Sequence, residues 1–231
     1  MNPQLPAPPI PANAPVSLGR RRCLQWMASG SAVLAAPALW PGSALAQVGP
    51  GQLEEPLVDS VRTALSAAVR ASEPMVPEFD TTDDYLQYAR WKATMADRLR
   101  TRKPELRTRM EFLQTVWYET RRAGLPDVSL VLGLIQVESA FRKFAISPVG
   151  ARGYMQIMPF WLRLIGDGDQ DVGRLFHLQT NLRFGCVILR HYLDRERGDL
   201  FMALGRYNGS RGRATYPDLV FAAQKRWTMP A

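Results

Sequence analysis

An all-α fold carrying at most a scrap of sheet is what this chain predicts, and three observations predict it. Apolar residues recur at helical spacing through most of the stretch from Leu57 to Trp227, strand-like alternation is nearly absent, and Gly, Pro and small polar caps separate the helical runs. At 231 residues and 46% hydrophobic content, the chain can bury one ordinary core with an appendage to spare. A formal charge of +8 points to acidic partners without choosing among them.

Residues 1–46 read as an export signal peptide rather than as part of the fold. They hold Arg20, Arg21 and Arg22 and no acidic residue, then an apolar stretch from Trp26 to Trp40, then Ala44-Leu45-Ala46. Basic, apolar and small-x-small in that order mark a leader cleaved after Ala46, and its apolar part is too short and too broken to span a membrane. Arg20-Arg21-Arg22-Cys23-Leu24-Gln25 resembles the twin-arginine signature, with Cys23 where an aromatic is usual and Gln25 where Lys is usual. The expected location is the periplasm, by that route or by ordinary secretion. Cys23 leaves with the leader, so Cys186 has no partner for a disulfide and reads as a small buried residue.

Residues 47–109 read as an N-terminal helical extension. Leu57, Val61, Leu65 and Val69 form one stripe; a Thr-capped helix follows with Tyr85, Tyr88, Trp91 and Met95 on one face; Pro74 and Pro77 break the chain between them. Arg98, Arg100, Arg102, Lys103, Arg107 and Arg109 read as a solvated basic face, with a groove for an anionic polymer as the alternative.

From 110 to 231 the pattern stays helical. "MEFLQTVWYETRRAG" is a helix ended by Gly124, and Asp127 caps another that runs to about Ala140. Further helices are expected at "PFWLRLIG", "TNLRFGCVILRHYLDRE", "DLFMALGRYN" and "YPDLVFAAQKRW", with a scrap of sheet near Tyr154 to Met158. There is no internal repeat and no nucleotide-binding glycine fingerprint.

Glu138 is the residue with chemistry in it. Leu134, Ile135 and Phe141 flank its helical face, and it stands in the last turn, where unsatisfied carbonyls make the helix end partly negative. Desolvation and that dipole both raise a carboxyl pKa. A glutamate of ordinary pKa near 4.3 is protonated in only about one molecule in 500 at pH 7; one raised to about 6 is protonated in roughly a tenth and can serve as a general acid. From Ser139 to Gly166 there is no Asp or Glu. A two-carboxylate glycosidase needs a second carboxylate about 5 Å away, or roughly 6.5–9.5 Å away to activate water. Asp167, Asp169 and Asp171 are the local candidates. On these grounds a single-acid enzyme is allowed, and so is a helix-end glutamate with its head in solvent.

Other chemistries lack parts. Two histidines, His177 and His191, and one cysteine do not make a zinc site, and no metal or other cofactor is expected. "DGDQDVG" imitates an EF-hand loop but has Val172 where Gly is needed and Leu178 where the bidentate Glu belongs. No G-x-S-x-G elbow occurs.

"ESAF", "SPVGARGYMQIMP", "TNLRFGCVILRHYL" and "ALGRYN" together, in order and spacing, resemble the soluble lytic transglycosylase (SLT) domain, whose fold is like that of goose-type lysozyme. The resemblance covers about residues 110–231. It implies cleavage of the β-1,4 bond between N-acetylmuramic acid and N-acetylglucosamine in peptidoglycan, leaving 1,6-anhydro ends, with Glu138 as the single acid/base. It makes Ser147 and Gln156 hydrogen-bonding residues for the sugar and the acid, Met158 a cleft-lining residue, and Tyr207 with Asn208 the "YN" pair facing Glu138. Gly150 and Gly153 then supply turns that bring Gln156 toward the acid. Tyr154 departs from the commoner Leu, Arg206 from a small or aromatic residue, and "GSRGRATYP" from the usual "AGxGxV". The implied partner is the peptidoglycan glycan strand; nucleic acid is disfavoured by the export signal, and an envelope protein partner would dock through residues 47–109. The alternatives are a goose-type hydrolase that holds water with an Asp of 167–171, and an envelope or secretion-system assembly factor that binds glycan with weak activity.

Overall fold

The computed structural model describes residues 59–70, 76–164 and 171–229. The leader and the rest of residues 1–58, Leu57 and Pro74 of the predicted extension, and Asp167 and Asp169 lie outside the described residues. Among the described residues there are eight α-helices and no strand: α1 (Asp59–Arg70), α2 (Thr82–Arg98), α3 (Leu106–Arg122), α4 (Val128–Ser139), α5 (Phe160–Leu164), α6 (Leu178–Arg195), α7 (Leu200–Asn208) and α8 (Thr215–Gln224). The expected sheet reduces to two isolated antiparallel bridges, Ile146 with Arg152 and Arg152 with Ile157.

Local chemistry sets the helix ends. Thr81 Oγ1 accepts from Asp84 N at 3.1 Å to open α2, and Asp127 does the same for Ser129 N at 2.9 Å to open α4. Asp199 caps α7 through Met202 N, and Gly209 closes that helix in the left-handed region. α3 begins at Leu106, four residues ahead of the expected onset. The chain is extended at Glu105, just after Pro104, and winds from there, leaving Leu106 exposed.

α4 is apolar on nearly every side and lies buried among other helices, packing most extensively on α8. Gly133 permits that approach, because a Cβ there would sit 2.7 Å from Gln224 N. α6 crosses α1, α3 and α7.

The helices of the predicted extension share one core with α3 and the later helices. Leu65 of α1 and Tyr88, Trp91 and Met95 of α2 are buried in the same cluster as Phe112, Leu134, Phe184 and Tyr207. Tyr88 and Trp91 meet Trp117 of α3 at ring-centroid distances of 5.1 and 4.8 Å. Tyr85 departs from the predicted face and is exposed: it falls to the edge of the stripe in the first turn of α2, where it meets the rim of Phe79 at 5.7 Å.

The basic run between α2 and α3 is not a uniform solvated face. Arg98 reaches the carbonyls of Arg226 and Thr228, while Lys103 and Arg109 are buried, Arg109 donating to the carbonyls of Lys103 and Pro104 at 2.6 Å each. Glu196, just after α6, is held by Arg206 and Arg211. Charge spacing along the chain could not reveal these partners, since each comes from another element. Cys186 is buried, as expected.

Candidate active site

Glu138 occupies the last turn of α4, and the backbone turns sharply just beyond it. Ala140 and Phe141 both take left-handed conformations, with φ of 49° and 65°. Such geometry is costly for residues with a Cβ and persists where the surroundings enforce it. Here the enforcement is visible: Phe141 is driven into the core against Phe112 and Trp227, at 5.9 and 5.0 Å between ring centroids.

The glutamate retains a partial opening to solvent, as an acid that must reach a substrate requires, while its carboxyl sits in a desolvated setting. Burial pushes that carboxyl up to about 7, against the opposing effect of a hydrogen bond from the Tyr216 hydroxyl to Oε1. A carboxyl raised in this way keeps its proton closer to neutral pH than an ordinary glutamate does. Tyr216 stands in the first turn of α8, buried, with Pro217 after it where a helix tolerates the missing N–H. Tyr207 is also buried; its hydroxyl donates to Met155 O at 2.8 Å, and burial together with the nearby Glu138 charge holds that hydroxyl well above the usual tyrosine range.

The loop from Arg142 to Pro159 follows α4 and is tied through Met155 to Asn181 of α6 and Tyr207 of α7. Ser147 starts a tight turn, its carbonyl accepting from Gly150 N at 2.9 Å and its Oγ from Ala151 N at 3.0 Å. Gly153, at φ 78°, is pressed onto α6: a Cβ there would lie 2.3 Å from Asn181 Nδ2. Asn181 in turn accepts from Met155 N at 2.8 Å and donates to the carbonyls of Arg152 and Leu175. Gln156 is a third non-glycine residue at positive φ, 49°, buried, with its amide donating to the carbonyls of Ala145 and Gly153 at 3.2 and 2.9 Å. Met158 is half-buried against the core.

The resemblance-derived residues thus divide. Tyr207 lies within electrostatic reach of Glu138, whereas neither Ser147 nor Gln156 hydrogen-bonds it; Gln156 is committed to the loop's own carbonyls. Asn208 donates to Ser210 Oγ at 3.0 Å and keeps a buried Oδ1 without a partner among the described residues. Asp171 caps a 3-10 turn, Val172–Phe176, through Gly173 N at 2.8 Å. Tyr216, which does bond Glu138, is marked by no sequence signal: it lies 78 residues away, in the stretch that departs from the family pattern. Among the described residues no group of three or more His, Cys, Asp or Glu is placed to hold a metal ion, and no helix is long and apolar enough to cross a membrane.

Known proteins resemble this chain over the same region. A transglycosylase of Enterobacteria phage PRD1 is 35% identical over 104 residues, which are 43% of this chain and 37% of the phage protein. The membrane-bound lytic murein transglycosylase C of Actinobacillus pleuropneumoniae serotype 5b (strain L20) is 34% identical over 91 residues, 37% of this chain and 24% of that protein. Its namesake from Haemophilus influenzae (strain PittEE) is 30% identical over 121 residues, 47% and 33%. The chain therefore spans well under half the length of these curated relatives. The family model described as "Transglycosylase SLT domain" matches residues 117–225, from the middle of α3 to the end of α8. With a helical segment ahead of it, the region 117–225 of this chain belongs to the transglycosylase SLT domain family.

Proposed function

We propose that this protein is a peptidoglycan lytic transglycosylase, with Glu138 as its single acid/base. One observation carries the reading: a desolvated carboxyl at the end of α4, pushed up to about 7, whose hydrogen-bond partner is a neutral tyrosine hydroxyl rather than a cation. The family of residues 117–225 and the names of the relatives support the same reaction.

The protonated Glu138 donates to the glycosidic oxygen between N-acetylmuramic acid and N-acetylglucosamine as the C1–O bond breaks. The resulting carboxylate accepts the proton of the muramoyl 6-hydroxyl, whose oxygen closes onto C1 to give the 1,6-anhydro sugar. No water is consumed, and Glu138 ends the cycle protonated. Tyr216 donates to the carboxylate between the two proton transfers, stabilising the charged form without neutralising it. The absence of Asp and Glu from Ser139 to Gly166 agrees with a substrate that supplies its own nucleophile.

Ser147, Gln156, Met158, Tyr207 and Asn208 line the substrate side in this reading. Met158 gives the sugar an apolar floor, and the unpartnered Oδ1 of Asn208 is an acceptor for a sugar hydroxyl or amide. Gln156 acts by fixing the loop. The enzyme works in the periplasm after export by the leader of residues 1–46.

Mass spectrometry of muropeptides released from purified peptidoglycan tests the proposal. Products with anhydro ends, lighter by one water than the hydrolytic ones, are expected. Reducing ends would overturn it in favour of a hydrolase.

A further inference from the structure

Lys103 lies ahead of α3 and outside the matched family region, yet only 8% of it is exposed. Its ammonium donates to Tyr154 Oη at 2.6 Å and lies 4.5 Å from the Tyr154 ring centroid and 5.0 Å from that of Phe112. Among the described residues no carboxylate pairs with it. The turn that carries it is itself fixed, because Arg109 holds the carbonyls of Lys103 and Pro104.

Tyr154 is the residue immediately before Met155 and Gln156. That loop is gripped from α6 by Asn181 and from α7 by Tyr207, through the Met155 N–H and carbonyl respectively. Lys103 supplies a grip from a third direction. Without it, the Tyr154 ring would be held only by packing.

We infer that Lys103 is a positioning residue for glycan binding, holding the Met155–Met158 wall of the cleft in register through its hydrogen bond to Tyr154. The inference rests on the proposed role of that loop in holding the sugar. A buried lysine without an acid is a poor structural staple, since burying a charge destabilises the fold unless it is paired. Burial, with Lys143 nearby from the loop after α4, holds the Lys103 ammonium down to about 8. Glu111 of α3 acts on Tyr154 rather than on the ammonium, and Arg109 engages backbone only. What the ammonium does secure is geometry: a charged donor to one hydroxyl and two ring faces.

The test is a double-mutant cycle on Lys103→Met and Tyr154→Phe, both of which keep the side-chain volume, assayed on soluble peptidoglycan fragments. Each single variant is expected to raise KM about tenfold with kcat nearly unchanged, the size of effect a charge-assisted hydrogen bond commands. The double variant is expected to match either single one, because both remove the same bond. Unchanged KM in folded single variants, or effects that multiply, would overturn the inference. A lowered melting temperature with KM unchanged would also overturn it, leaving the bond a structural one. Glu138→Gln, run alongside, separates the two readings: if it retains activity the proposed reaction itself is wrong, whereas if it is inactive and Tyr154→Phe binds normally, only the role of Lys103 fails.

Discussion

Glu119 on α3 and Glu138 on α4 are carboxylates in neighbouring helices, both removed from bulk water, and they differ in what meets them. Glu119 receives a bidentate fork from Arg183 of α6, at 2.8 to 3.1 Å, with Arg122 3.9 Å away. Glu138 receives one tyrosine hydroxyl. The guanidinium fork engages both oxygens of Glu119 and joins two helices, whereas a single hydroxyl engages one oxygen of Glu138. Burial makes a carboxyl expensive to ionise, and the identity of the partner decides whether it becomes a fastener or an acid.

Cutting the fastener should have the largest effect. Glu119→Ala leaves Arg183 buried and unpaired, and urea denaturation should show a loss of about 3–5 kcal/mol. A loss below about 1 kcal/mol would mean that water reaches this pair and that it differs less from Glu138 than its geometry implies.

Glu138→Gln should act in the opposite direction on stability while removing activity by about 10³-fold or more. The carboxyl binds its proton more tightly in the folded state than its ordinary value near 4.5 would allow. The folded state therefore carries no penalty from this group below pH 4.5, and loses stability as pH rises through about 7. Replacing it with the neutral amide should stabilise the protein by roughly 2–3 kcal/mol at pH 8 and by almost nothing at pH 4. Melting curves at the two pH values measure the difference.

Tyr216→Phe sharpens the comparison with a smaller effect. The hydroxyl favours the ionised form of Glu138, so its removal should move the alkaline limb of the kcat/KM profile upward, with a rate loss under about tenfold. A downward shift would mean that the tyrosine serves the protonated acid.

The fold was largely legible in the sequence, because its signals are local. Asp127 as a cap, the apolar run behind it and Gly209 after α7 delimit their helices by chemistry that acts within four residues. The position of Glu138 at the end of an apolar helix was legible for the same reason, and with it the direction of its pKa shift. The partners were not. Tyr216 reaches Glu138 across 78 residues and Lys103 reaches Tyr154 across 51, and no spacing rule along a chain encodes such meetings. Lys103 and Arg109 read as solvent-facing cations because periodicity along the chain says nothing of what packs over the connection that holds Lys103, or of how Arg109 in the first turn of α3 folds back onto that connection. Gln156 illustrates the intermediate case: the motif singled it out, while its attachment to the carbonyls of Ala145 and Gly153 depends on a backbone at positive φ that a glutamine seldom adopts.

A carbon-13 NMR titration of the glutamate carboxyls, with Glu138→Gln used to assign the resonance, tests most directly whether Glu138 is an acid poised for proton transfer. The expected midpoint is about 7. A midpoint near the ordinary 4.5 would contradict it, since a carboxylate fully ionised at neutral pH has no proton to give the leaving sugar.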